Sequence, residues 1–460
     1  MLFHSTRGKD NNKTFEEILM QGLAKDGGLF MPDYWPEVDL DNLKNLDNFI
    51  DVAKKIVPLF TDSSFTNIEV EHLLDRTWHN FDKKDFIDIF EINESVSILE
   101  LFHGPTAAFK DFGLQLAAAF FNKTLQKQKK TAIVFGATSG DTGSAAIDAC
   151  KEFDLIKTFI LIPEGNMSEI QRKQMTTVHK DNVFPILASG TFDDCQDIVK
   201  RGFNERTFLK DDQYLLAVNS INWVRIIGQI CYYFYVSLKI NNLSSPLNFS
   251  VPTGNFGNVF ACYAASKMGM PLSKIIVAVN SNDILDRFFR NNDYSKEKVN
   301  ETISPSMDIS VASNFERLLY DFYFEGDTKV CSQLYSNFPN SKIEIDSNIW
   351  KKSSQLFISY SSDDKATYEC MKYYFNNFNY VMDPHTAVAA DAVNKLNDKL
   401  DGKTIILSTA DPAKFPLALK NAGLPPSLPN KLSRILDKKE VAHRLSSKDD
   451  SIFEFIKNNN

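Results

Sequence analysis

Between residues 95 and 280, short apolar runs alternate with stretches whose apolar residues recur at helical spacing. This rhythm limits the fold more than any other feature of the chain. Runs at 95–102, 131–136, 157–163, 182–187, 214–218, 247–252 and 274–280 read as strands. Between them, helices are expected from near Phe109, where Leu114, Ala117, Phe121 and Leu125 share a face, and at 144–153, 169–178, 192–203, 222–240 and 258–268. Strands that alternate with helices pair in parallel through crossovers, so an open α/β sheet is expected. After Asp293 the rhythm weakens, returning at 404–415 as a strand that ends in a polar loop, and the charged last residues are expected to fray or pack late.

At 460 residues the chain exceeds one ordinary core, so two or three domains are expected, and 37 Phe supply the material to fill them. With 59 acidic against 51 basic residues, the net charge of −8 argues against a general nucleic-acid binder. Cys150, Cys195, Cys231, Cys262, Cys331 and Cys370 are scattered without a CxxC pair, which reads as reduced thiols and not a disulfide framework. The dispersed histidines form no metal-ligand spacing, so no metal site is expected. The N-terminus lacks a signal-like apolar run, and the greasiest stretch, 224–238, contains Arg225 and Gln229 and is too short to span a bilayer. A soluble cytoplasmic protein without a membrane partner follows as the expectation.

Four polar stretches fall where a strand should meet a helix, the edge at which open α/β sheets bind ligands. In His103–Gly113, Lys110 lies between Phe109 and Phe112. Burial there lowers an ammonium's pKa and leaves the neutral amine that Schiff-base chemistry requires, although most lysines sit at surfaces. Gly136–Gly143 carries hydroxyls at Thr138, Ser139 and Thr142 at a helix start, a setting for a carboxylate or phosphate or simply a capped turn; Asp141 suggests a positive or proton-bearing neighbour. Residues 252–258, with Gly254 and Gly257 before a helix, suit a small phosphate; neither a dinucleotide fingerprint nor a Walker A motif is present. At 408–415, Ser408 or Thr409 can face a ring nitrogen, or cap a short helix.

Together, "FHGPTAAFKDFG", "ATSGDTGSAA", "PTGNFGN" and "STADPAKF" resemble the threonine synthase family within the fold-type II enzymes that use pyridoxal 5'-phosphate. "STRG", "DGGLFMP", "SEIQRKQM", "NSINWVRIIGQ" and "DPHTAVA" extend the resemblance from about Ser5 to Phe415, in the longer form that carries an N-terminal extension. One position departs: Asp411 stands where the family motif is expected to carry His. The resemblance implies an α/β fold with open, twisted, mostly parallel sheets in a large and a small domain. Residues 1–93 would form an N-terminal region, 94–125 and 215–430 the large domain, 126–214 the small domain and 431–460 a tail.

It further implies that Lys110 holds the cofactor and acts as general base, and that Gly254, Asn255, Phe256, Gly257 and Asn258 cradle the cofactor phosphate. Thr409 would meet the pyridine nitrogen, with Asp141 near the cofactor. Thr138, Ser139 and Thr142 would grip the substrate carboxylate, and Ser168, Arg172, Asn219, Ser220, Asn222 and Arg225 are candidates for the substrate phosphate. An ion pair at the surface is the alternative for each Arg. The implied reaction turns O-phospho-L-homoserine and water into L-threonine and phosphate. Rivals are another fold-type II dehydratase or synthase, a phospho-lyase that releases 2-oxobutyrate, and a non-catalytic phosphate binder. Whether the chain acts as a monomer or a homodimer is left open.

Overall fold

Each apolar run of the repeating part becomes a strand in the computed structural model, which describes all residues except 84, 139, 166, 427, 448 and 449. In chain order the strands are β1 (Phe3–Ser5), β2 (Phe30–Pro32), β3 (Asp88–Glu91), β4 (Val96–Glu100), β5 (Thr131–Ala137), β6 (Ile156–Pro163) and β7 (Val183–Ser189). They continue as β8 (Gln213–Ala217), β9 (Leu247–Pro252), β10 (Leu272–Val279), β11 (Phe357–Ser361), β12 (Thr404–Ser408) and β13 (His443–Ser446).

Six of them form the large sheet, in the order β11-β10-β9-β12-β4-β3, and five form the small sheet, β13-β7-β6-β5-β8. All pairings in both are parallel except β3 with β4. The buried strands of both sheets are near-continuous apolar runs, as sheets covered on both faces require. The expected fold class therefore holds. β8 pairs with β5, so the small domain runs a few residues past the expected boundary at 214.

Of the two expectations for the tail, the structure shows packing and not fraying. β13 adds an edge to β7, and the helix Ser451–Asn459 buries Ile452, Phe453 and Ile456 in the small-domain core. In sequence this segment looks only charged, because so short a strand shows no alternation until a partner supplies its ladder. Ile456→Ala is expected to destabilise the fold by about 2–5 kcal/mol, read from the denaturant midpoint, since the side chain is fully buried. Also unforeseen are β11 and the helix Asp364–Phe378, which lie in the stretch where the sequence rhythm fades.

Residues 1–78 form the two-stranded sheet β1–β2 and a set of helices packed into the main core, whereas β3, within the expected N-terminal region, belongs to the large sheet. Trp223 is 1% exposed and meets Phe3, Trp35 and Phe60 of this region and Phe260 of the large domain, edge-on or tilted. It is therefore a core residue. The helices Lys110–Gln128 and Trp223–Asn241 cross at Gly113 and Gly228. A Cβ on Gly113 would lie 3.0 Å from the Arg225 Cα, so only glycine permits this approach.

Candidate active site

β9, β12 and β4 are parallel neighbours, so their carboxyl ends release residues 253–258, 409–411 and 101–109 along one edge of the large sheet. Two of these loops are joined by backbone. Phe109 N–H donates to the Thr409 carbonyl at 2.9 Å, Asp411 N–H to the Ala107 carbonyl at 3.1 Å, and Ala108 bridges Ala410. Ala107 takes the left-handed conformation, φ 57°, at the turn into the helix that Lys110 opens.

Lys110 is 12% exposed in its side chain, and its Nζ lies 3.3 Å from Asp141 Oδ2 and 5.1 Å from the Phe109 ring centre. Burial lowers its pKa; Lys414 and Arg225 push the same way against the opposing pull of Asp141. Asp141 opens the helix Asp141–Cys150 after β5, so it is the residue through which the small domain meets this edge. Gln171 Nε2 donates to its Oδ1 at 2.9 Å, and Lys414 Nζ lies 2.6 Å from the same oxygen. Burial alone would raise the Asp141 carboxyl, but Lys414 and Lys110 outweigh it and hold the group far below the usual carboxylate range.

Around Asp141, the Thr138 hydroxyl accepts from the Gly140 and Gly143 N–H groups at 3.0 and 2.9 Å, so it shapes the loop. Thr142 is half-buried on the first turn of the helix. Ser139 lies outside the described residues.

At the third loop, the helix Gly257–Lys267 begins without a side-chain cap, leaving its first N–H groups open to an anion. Phe256, at φ 64°, packs against Phe289 and Phe315 beneath the turn, and Asn255 is exposed with its Oδ1 accepting from Ser313 at 3.1 Å. Asn258 Oδ1 accepts from the hydroxyls of Tyr232 and Tyr233, while its buried Nδ2 has no partner among the described residues. A Cβ on Gly254 would lie 2.7 Å from the Ser306 carbonyl oxygen. Gly254→Ala must therefore displace backbone at this turn.

Thr409 is buried beside Ser408, whose hydroxyl meets that of Thr386 at 3.0 Å. Asp411, the departing residue, accepts the Ala413 N–H at 2.9 Å and caps the short turn that carries Lys414. Its carboxylate thus has a backbone task.

The remaining candidates separate. Arg225 is 5% exposed, donates from Nη1 to the Asn219 carbonyl at 2.5 Å and leaves Nε without a partner; burial lowers its pKa to about 10. Among the described residues no carboxylate pairs with it, and it lines an enclosed cavity with Asn219 and Asn222. Asn222 caps the helix through the Val224 N–H and donates from Nδ2 to the Leu19 carbonyl at 2.9 Å, tying this segment to the N-terminal region. The Ser220 carbonyl accepts from Asn314 Nδ2 at 3.2 Å, and Asn314 also reaches the Asn255 carbonyl at 3.0 Å. Ser168 caps the helix Glu169–Thr176. Arg172 is brought elsewhere: its Nη1 meets both oxygens of Glu440 at 2.8 and 2.7 Å, the ion-pair alternative.

Sequence reasoning passed over Lys414 and Gln171, although both lie inside quoted motifs. In a separate cluster, Asp88, Glu100 and His103 bring ligand atoms within 4.8 Å of one another, but Lys83 pairs with Asp88 at 2.8 Å and Tyr380 donates to Glu100 at 3.0 Å.

Residues 91–332 match the family profile described as pyridoxal-phosphate dependent enzyme, residues 2–78 that of the threonine synthase N terminus and residues 386–456 that of the threonine synthase C-terminal part. The threonine synthase of Pseudomonas aeruginosa is 40% identical, with 96% of this chain and 94% of the relative covered. That of Saccharomyces cerevisiae is 40% identical over 92% of this chain and 89% of its own length. The crystal structure of PLP-bound threonine synthase from Brucella melitensis superposes with a TM-score of 0.95 at 35% identity, covering 100% of this chain and 99% of that one.

Proposed function

The chain belongs to the threonine synthase family of pyridoxal-phosphate-dependent lyases, and from that premise we propose that it makes L-threonine and phosphate from O-phospho-L-homoserine and water with Lys110 as cofactor lysine and proton carrier. The observation that carries this reading is the buried Lys110 amine at the strand edge shared with an uncapped, glycine-bracketed helix start. The donor set fits the cofactor: the unpartnered Nδ2 of Asn258 and the open N–H groups of the helix start suit its phosphate. Gly254, Asn255, Phe256, Gly257 and Asn258 hold that phosphate, and Thr409 meets the pyridine nitrogen as a neutral partner. Asp141 stays ionised beside Lys110.

When bound, pyridoxal phosphate supplies an aldehyde for the amine and a ring that draws electron density from Cα. The chain does the rest. Lys110, lacking a proton of its own, accepts one from Cα, passes it on and then accepts one from Cβ; of the protons given up by Cα, Cβ and the added water, one returns to Cα, one goes to Cγ and one to the departing phosphate. The helix start at Asp141–Thr142, shaped by Thr138, and with Ser139 in the same loop, holds the α-carboxylate. Arg225 holds the substrate phosphate until it leaves from Cγ, with Asn219, Ser220 and Asn222 shaping its pocket. A guanidinium without a carboxylate supports this role, because an incoming anion satisfies it. Ser168 and Arg172 stand outside it, one capping a helix and the other paired to Glu440.

Six free, buried cysteines suit the reducing cytoplasm, and no helix among the described residues is long and apolar enough to cross a membrane. Borohydride reduction followed by peptide mapping tests the reading: label on Lys110 alone is expected, and label on any other lysine refutes it. Product analysis separates threonine from the 2-oxobutyrate of a phospho-lyase.

A further inference from the structure

We propose that Lys414 is a positioning residue that takes Asp141 as its own buried partner and so leaves Lys110 the uncharged amine of the trio, an inference that rests on Lys110 being the cofactor lysine. The geometry favours one pair over the other. Lys414 Nζ lies 2.6 Å from Asp141 Oδ1, a tight charge-assisted contact, whereas Lys110 Nζ stands 3.3 Å from Oδ2. Lys414 is 0% exposed and also donates to the Thr106 carbonyl at 2.9 Å. Gln174 Nε2 reaches that same carbonyl at 2.8 Å, and Gln171 holds Asp141 from the other side. The lysine's own turn is fixed by the Asp411 cap and by the backbone bridge from Ala410 to Ala108, two residues before Lys110.

Charge counting then decides the protonation pattern. Two amines face one carboxylate in a water-poor site, with the Arg225 guanidinium adding a further positive charge. A second ammonium would be buried without compensation, which is costly. Lys414 has the shorter contact to Asp141 and a second acceptor in the Thr106 carbonyl, so the pairing with the carboxylate falls to it, and Lys110 yields. Lys110 is the one of the two that faces the open edge, where an uncharged amine is needed as nucleophile and base. Other ionisable groups nearby do not reverse this. Burial pushes the Asp111 carboxyl up to about 7, so at neutral pH it carries about half a charge, and its two oxygens already accept from the Thr106 N–H and hydroxyl. Burial likewise raises the Asp411 carboxyl, which feels Lys431 before Lys414.

The test reads the Lys110 amine directly. The full-length chain, stripped of cofactor, is pulse-labelled with acetic anhydride across a pH series, and labelling of Lys110 is quantified by peptide mass spectrometry. The parent is expected to label with a midpoint below that of ordinary lysines. Lys414→Met should free Asp141 to pair with Lys110 and raise the midpoint by about 1–3 pH units. Lys414→Arg should keep it low, and the double variant Lys414→Met with Asp141→Asn should return it to the parent value or below. An unmoved midpoint in Lys414→Met, or a double variant as high as the single, overturns the proposal. Should Lys414→Met not fold, Asp141→Asn alone decides: the midpoint is expected to fall, and a rise or no change overturns it. Because labelling is scored without turnover, this outcome is separate from the borohydride mapping that tests Lys110 as the cofactor lysine.

Discussion

Lys110→Ala is expected to lower kcat/KM for O-phospho-L-homoserine by on the order of 10³–10⁴-fold or more, measured by phosphate release. In the proposed reading one amine carries both tasks, anchoring the cofactor and moving the protons at Cα and Cβ. No neighbour can replace it. Lys414 is sealed from the open edge and fixed between Asp141 and the Thr106 carbonyl, and Arg225 keeps its proton near neutral pH even with its pKa lowered to about 10. Stability should be retained, because removing an amine at 3.3 Å leaves Asp141 with Lys414 and Gln171. A variant that folds and makes threonine at the parent rate would dismiss the assignment.

Arg225→Met should separate binding from folding. Loss of a buried charged partner to the substrate phosphate is expected to cost on the order of 10²–10³-fold in kcat/KM, chiefly through KM. Thermal stability should hold or rise, since the parent buries a guanidinium with one carbonyl contact and an unpartnered Nε. A structural arginine would give the opposite pair of results, a lower melting temperature with KM little changed. Steady-state kinetics and a melting curve on the same preparation distinguish the two.

The loops of the candidate site were legible because their parts are local. A strand, a glycine-containing loop and a helix start follow one another within a few residues, so Lys110, Asp141 and Gly254–Asn258 stand out before any tertiary contact is known. What stayed hidden depends on distant partners. Arg172 looks like an anion clamp until Glu440, far along the chain, is brought to it. Lys414 looks like an ordinary helix-start lysine until Asp141 arrives from the other domain. The N-terminal region offered no chemical motif. Its contribution, the Leu19 carbonyl that fixes Asn222 and the aromatic rings that enclose Trp223, exists only in the folded packing. Asp411 illustrates the reverse case: a departure from the family motif that its backbone capping bond accounts for locally.

The placement of β13 beside β7 has a consequence for biogenesis. The ribosome releases the small domain's other strands long before β13, so a nascent chain exposes the unpaired rim of β7 until β13 has emerged. The nonpolar flank awaiting Ile452, Phe453 and Ile456 stays uncovered for the same interval. Folding of this half therefore waits on β13 and the helix that follows it, and a chain lacking residues 443–459 would be sticky and chaperone-dependent although every residue of the candidate site had been made.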